Sequence, residues 1–141
     1  MNKKSAEAKE NFVDIIHLTR DSAGVPTGGK VVIRYTTDNK EVERFGYDAS
    51  GQKTFHQTIV YNNSEAGLEK IVNTFGPDGS HLQTSISQFD LEGNLLETQS
   101  INSAGKIIDR QTYSYTSESV HYCHFDEAEQ LIETWVRPLN Q

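Results

Sequence analysis

A ten-residue phrase occurs twice almost intact in this chain, as Phe89-Asp90-Leu91-Glu92-Gly93-Asn94-Leu95-Leu96-Glu97-Thr98 and as Phe125-Asp126-Glu127-Ala128-Glu129-Gln130-Leu131-Ile132-Glu133-Thr134. Weaker copies surround it. Four turns share its grammar: Asp48-Ala49-Ser50-Gly51, Gly76-Pro77-Asp78-Gly79, Asp90-Leu91-Glu92-Gly93 and Asn102-Ser103-Ala104-Gly105. Asp or Asn in first place bonds the nearby backbone, and Pro in second has its φ already set. Glycine in fourth place takes positive φ and forms the bulge that joins a type I turn to a twisted hairpin. Tyr47, Phe75, Phe89 and Ile101 put a large apolar side chain before each turn. The phrase reads as a strand end, a tight turn and the next strand start.

Turns centred near Asn39, Gly51, Gly67, Gly79, Gly93, Gly105, Glu118 and Glu129 follow one another at intervals of 11 to 16 residues. Such spacing leaves no room for crossover helices, so it predicts a mainly all-β fold, an antiparallel meander of about eight strands in hairpin repeats. Lys30–Thr37 alternates as a strand should, with Val31, Ile33 and Tyr35 on one face and Val32 and Arg34 on the other. Pro138 ends the last strand, Gln130–Arg137. At the N-terminus, Ser5 caps a short helix over 5–16 on the spacing of Phe12, Ile15 and Ile16. The alternative there is a strand from Phe12 to Arg20, turned by Asp21-Ser22-Ala23-Gly24. The whole chain, 1–141, suits one domain, with a lead-in at 1–20 and the hairpin sheet at 30–137. Apolar pairs follow the turns at Leu95-Leu96, Ile107-Ile108 and Leu131-Ile132 and leave polar strand middles. This favours a broad curved sheet over a thick sandwich, with a closed barrel as the alternative.

Charge narrows the partners. The net charge is −7, and residues 48–141 hold 5 Lys or Arg against 13 Asp or Glu. An acidic field of this size argues against nucleic acid and anionic membranes and suits a basic protein. The polar run Ser5–Glu10 behind the first lysines gives no signal peptide, and no apolar segment is long enough to span a bilayer. Cys123 has no second cysteine to pair with. Cytoplasm is the expected location.

Few side chains suggest chemistry. His121-Tyr122-Cys123-His124 looks like a metal or nucleophile motif, but alternation puts His121 and Cys123 on one face and His124 on the other. A zinc site needs four converging ligands, and a cysteine nucleophile needs a base in a cleft. Carboxylate pairs such as Glu97 with Glu133, or Asp90 with Glu92, occupy repeat positions and read as solvent-facing edges. Gly28-Gly29-Lys30 lacks the spacing and following helix of a phosphate loop. We therefore expect no catalytic, metal or cofactor residues. Tyr113, Tyr115 and Trp135 are the candidates for an aromatic binding platform.

The pattern aromatic-Asp-x-x-Gly-x-apolar-apolar-acid resembles the YD repeat of RHS-type proteins, and more loosely the repeats of small bacterial antitoxin-like proteins. It is carried by Tyr47-Asp48…Gly51, Phe89-Asp90…Gly93-Asn94-Leu95-Leu96 and Phe125-Asp126…Leu131-Ile132, within residues 45–135. Ile101 in place of an aromatic, Glu129 in place of glycine, and two extra residues before Gly67 depart from it. The resemblance implies hairpin architecture and a link to bacterial toxin systems. The expected function is a non-enzymatic immunity protein that neutralises a basic toxin domain. Asp90, Glu97, Asp126 and Glu133 would steer the partner, and Tyr113, Tyr115 and Trp135 would anchor it. A carbohydrate- or protein-binding repeat module is the alternative.

Overall fold

In the computed structural model, which describes residues 11–139, the turns divide the chain into ten strands: β1 (Phe12–Arg20), β2 (Pro26–Thr36), β3 (Glu41–Tyr47), β4 (Lys53–Ser64), β5 (Gly67–Phe75), β6 (His81–Phe89), β7 (Leu95–Asn102), β8 (Ile107–Tyr115), β9 (Ser119–Phe125) and β10 (Leu131–Pro138). They form one antiparallel sheet in the order β1 to β10, so each strand lies beside its neighbours in sequence. The expected count of eight is corrected to ten. Eight turns bound nine strands, and the N-terminal segment adds another. The expected helix over 5–16 is also corrected where it can be seen. Phe12–Ile16 belong to β1, while residues 5–10 lie outside the described residues. The apolar spacing that suggested a helix has another cause: β1 is apolar on both faces, so its pattern does not alternate. No helix occurs among the described residues.

Glycines 51, 79, 93 and 105 all sit at positive φ, between 86° and 90°, in the fourth place of their turns. Around Gly93 the amide of Asp90 donates to the carbonyl of Asn94 (2.9 Å), and that of Gly93 to Asp90 (3.1 Å). The Asp90 carboxylate accepts from the amides of Glu92 (3.0 Å) and Asn94 (2.8 Å), which fixes the turn from inside. Asn39 (φ 70°) and Glu129 (φ 63°) hold the same conformation without glycine. A β-branched residue tolerates it least, so Gly93→Val should lower stability by about 1–3 kcal/mol in urea unfolding. A variant as stable as the parent would refute that turn geometry.

These turns also carry a pH signature. Side-chain hydrogen bonds from Ser50, Ser80 and Asn94 are the largest causes holding Asp48, Asp78 and Asp90 below the ordinary aspartate range, with backbone amides adding to them. A carboxyl depressed by folding stabilises the fold above its unfolded value and loses that contribution as pH falls through its folded value. Stability should therefore hold on descending to about pH 4 and decline below it. Thermal melts at stepped pH test this, and a decline beginning near pH 6 would point to histidine instead.

The chain packs as two compact units, one of residues 1–59 and 75–80, the other of residues 60–74 and 81–141. Among the described residues neither has a second layer, so side chains are covered mainly by neighbours along the sheet. Among the described residues only Ile33, Ile59 and Tyr122 are buried apolar side chains, at 7–8% exposure, and none is fully enclosed. In the first unit, Arg34 grips Asp14 through two hydrogen bonds (2.9 and 3.2 Å) and reaches Glu43 at 3.1 Å. Glu43 in turn meets His56 at 3.0 Å, and the His56 ring stacks on Phe45. A polar ladder thus crosses β1 to β4 where a thicker fold would place its core.

Candidate partner-binding surface

In the second unit the register brings aromatic side chains into one row. Tyr113 of β8 lies opposite Tyr122 of β9, which lies opposite Trp135 of β10. Their rings are in contact: Tyr113 and Tyr122 at 5.1 Å between centroids, Tyr122 and Trp135 stacked at 4.7 Å with 19° between planes. The Arg137 guanidinium lies 4.2 Å from the centre of the Trp135 ring. Alternation along each strand explains the row, since antiparallel partners on one face are within van der Waals reach.

A polar row adjoins it on the same face. Gln111 is opposite His124, and His124 opposite Glu133. The His124 Nε2 bonds Asp109, and its Nδ1 lies 3.9 Å from the Glu133 carboxylate. The Gln111 amide donates to Asp109 (3.2 Å), and the Tyr113 hydroxyl donates to the Gln111 carbonyl (3.4 Å). Burial, followed by the charge of Glu133, raises the Tyr122 hydroxyl above the ordinary tyrosine range. The face therefore combines a stacked apolar row with two carboxylates flanking one imidazole. Its polar groups are bonded to one another, with Asp109 and Glu133 both directed at His124.

Of the residues expected at a binding site, Tyr113, Trp135 and Glu133 meet here. Tyr115 shares their strand face, and its hydroxyl donates to the Leu95 carbonyl at 2.7 Å. Glu97 does not join them. It lies opposite Thr112, whose row continues through Cys123 and Thr134 on the other face, and it pairs with Arg110 at 3.2 Å. Successive turns of a meander lie at alternate ends of the strands, and a turn of one geometry presents opposite faces at the two ends. Glu97 and Glu133 follow turns three apart, so they end on opposite faces. Asp109, which follows Asn102-Ser103-Ala104-Gly105 as Glu133 follows its own turn, is two turns away and converges with Glu133 on His124. Asp90 and Asp126 sit at turns on opposite strand ends. The Asp126 carboxylate is engaged by the amides of Ala128 and Gln130, as that of Asp90 is by its own turn. Asp109 and Arg137 were not singled out from the sequence, and His124 was weighed there only as a metal ligand. The repeat offset between Asp109 and Glu133 was the signal for two of the rows' members.

His121 and Cys123 share the opposite face from His124, as alternation predicted. The Cys123 sulfur lies 3.7 Å from both His121 Nε2 and the Thr134 hydroxyl. Among the described residues no group of three or more His, Cys, Asp or Glu side chains is placed to hold a metal ion. The described residues include two shallow depressions. One, of about 370 Å³, lies over Gly46 and Phe55 in the first unit, and one, of about 310 Å³, lies by Gly67 and Phe89 in the second. No helix among the described residues is long and apolar enough to cross a membrane. No family model matches the chain, and no curated protein matches it either.

Proposed function

We propose that this protein is a non-enzymatic binding protein that takes a basic protein partner on the β8–β10 face, and that the partner is a bacterial toxin domain neutralised in the cytoplasm. The observation that carries the reading is the stacked row Tyr113–Tyr122–Trp135 beside Asp109 and Glu133, on a single-layered sheet among the described residues. Aromatic rows flanked by polar groups suit the centre of a protein interface, where buried Tyr and Trp supply most of the binding energy. Carboxylates beside them steer a cationic partner and set the association rate. The YD-repeat-like turns supply the link to toxin systems.

The carbohydrate reading is less well supported. A sugar platform needs a ring face laid open, whereas the Trp135 ring is already engaged by Tyr122 and Arg137. The test is to identify the products of neighbouring genes and measure their association with this protein at low and high salt, paired with a growth-protection assay. Salt-sensitive association and protection are expected. Absence of binding and protection would end the immunity reading, and glycan binding instead would replace it.

A further inference from the structure

The two strands that end the sheet order are unlike. β10 carries Pro138 and Arg137, and it steps out of register between Leu131 and Glu133, two residues against one of β9. Proline, charge and bulges are the usual means by which an exposed edge resists pairing. β1 has no proline, and its charges are Asp14 and the terminal Arg20. The irregularity near its end falls on β2, where four residues answer two of β1 between Leu18 and Arg20. Phe12, Val13, Ile15, Ile16 and Leu18 are 45–57% exposed, on both faces of the strand. Its one internal charge, Asp14, is already neutralised by Arg34.

The backbone of β1 also has the right phase to pair with itself. The Thr36 amide donates to Lys40 across the β2–β3 turn, so Thr36 faces β3. By alternation Arg34 and Val32 face β3 too, while Tyr35, Ile33 and Val31 face β1. Their partners Val13, Ile15 and His17 turn inward. A Thr27 hydroxyl bonded to the Thr19 carbonyl at 3.2 Å fits the same phase. Asp14, Ile16 and Leu18 are therefore left with backbone N–H and C=O groups directed outward. Ile16 is the midpoint of Phe12–Arg20, so a two-fold axis through it pairs the full strand with a second copy in a hydrogen-bonded register.

We propose that β1 is a homodimer interface in which two copies join antiparallel about Ile16. In this register Phe12 faces Arg20 of the other copy, Val13 faces Thr19, Asp14 faces Leu18 and Ile15 faces His17. No like charges meet. Nine residues give an edge about 30 Å long and about 10 Å thick. That covers roughly 600 Å² over both copies, below the usual 1,200–2,000 Å² of stable complexes, so the dimer is a weak, concentration-dependent one.

Sedimentation of the full chain from about 1 μM to about 500 μM, a range that brackets such affinities, should show mass rising from 15.9 kDa toward twice that value. Ile16→Lys sets two like charges opposite each other at the axis and should weaken association at least about tenfold. In a Cys123→Ser background, Ile16→Cys should form a disulfide-linked dimer on mild oxidation, and Val136→Cys on β10 should not. A chain monomeric throughout the range would overturn the proposal. So would a dimer indifferent to Ile16→Lys, or one cross-linked through Val136→Cys.

Discussion

Gly67→Ala should lower stability by about 3–5 kcal/mol, the largest effect expected of any single methyl group in this chain. Gly67 opens β5 at φ 145°, where a side chain is strained. A Cβ built there stands 1.9 Å from the Phe89 carbonyl oxygen and 3.0 Å from the Asp90 backbone. Both obstacles are main chain at the start of the next turn on the same end of the strands, so neither rotates away. Relief requires the β4–β5 and β6–β7 turns to separate, which disrupts the second unit. Urea unfolding measures the loss. An alanine variant within about 1 kcal/mol of the parent would show that the turns do not abut as described.

Trp135→Ala should weaken the proposed complex with a cationic partner by about 2–4 kcal/mol, roughly 30- to 1,000-fold in affinity. Trp135 ends the aromatic row and is stacked on Tyr122, so its removal takes an anchor from the interface and uncovers the buried Tyr122 ring. Glu97→Gln is the matched control. Glu97 lies on the opposite face, paired with Arg110, and its replacement should leave affinity within about twofold, since a distant charge contributes little at ordinary salt. Titration calorimetry of both variants decides it. Equal affinity for the Trp135 variant and the parent would move the binding surface elsewhere.

The turns were legible in the sequence because their chemistry is local. An Asp or Asn that bonds the next amides and a glycine at positive φ favour such a turn, and at most of these turns both show in one line of sequence. The strands between them followed from spacing alone. β1 was harder, because an edge strand exposed on both faces escapes the alternation that burial imposes, and Phe12, Ile15 and Ile16 then imitate a helix stripe. The site was only partly legible. Tyr113, Trp135 and Glu133 were named from residue type, but grouping Glu97 with Glu133 treated repeat equivalence as proximity. In a meander, equivalence at odd turn separation inverts the face, and only even separations converge, as Asp109 and Glu133 do. Tyr122 was met within His121-Tyr122-Cys123-His124, which was weighed for metal chemistry, whereas its role comes from the cross-strand partners that the register assigns.

Strand order that copies chain order has a kinetic consequence. Each strand finds its partner within one turn of the chain, so loop closure costs little and no pairing waits on a distant segment. Hairpins close in about 1–10 μs, and any of them can act as a template for the strand on either side, as in repeat arrays. Refolding should therefore be faster than the milliseconds to seconds usual for β-sandwiches, whose pairings are far apart in sequence.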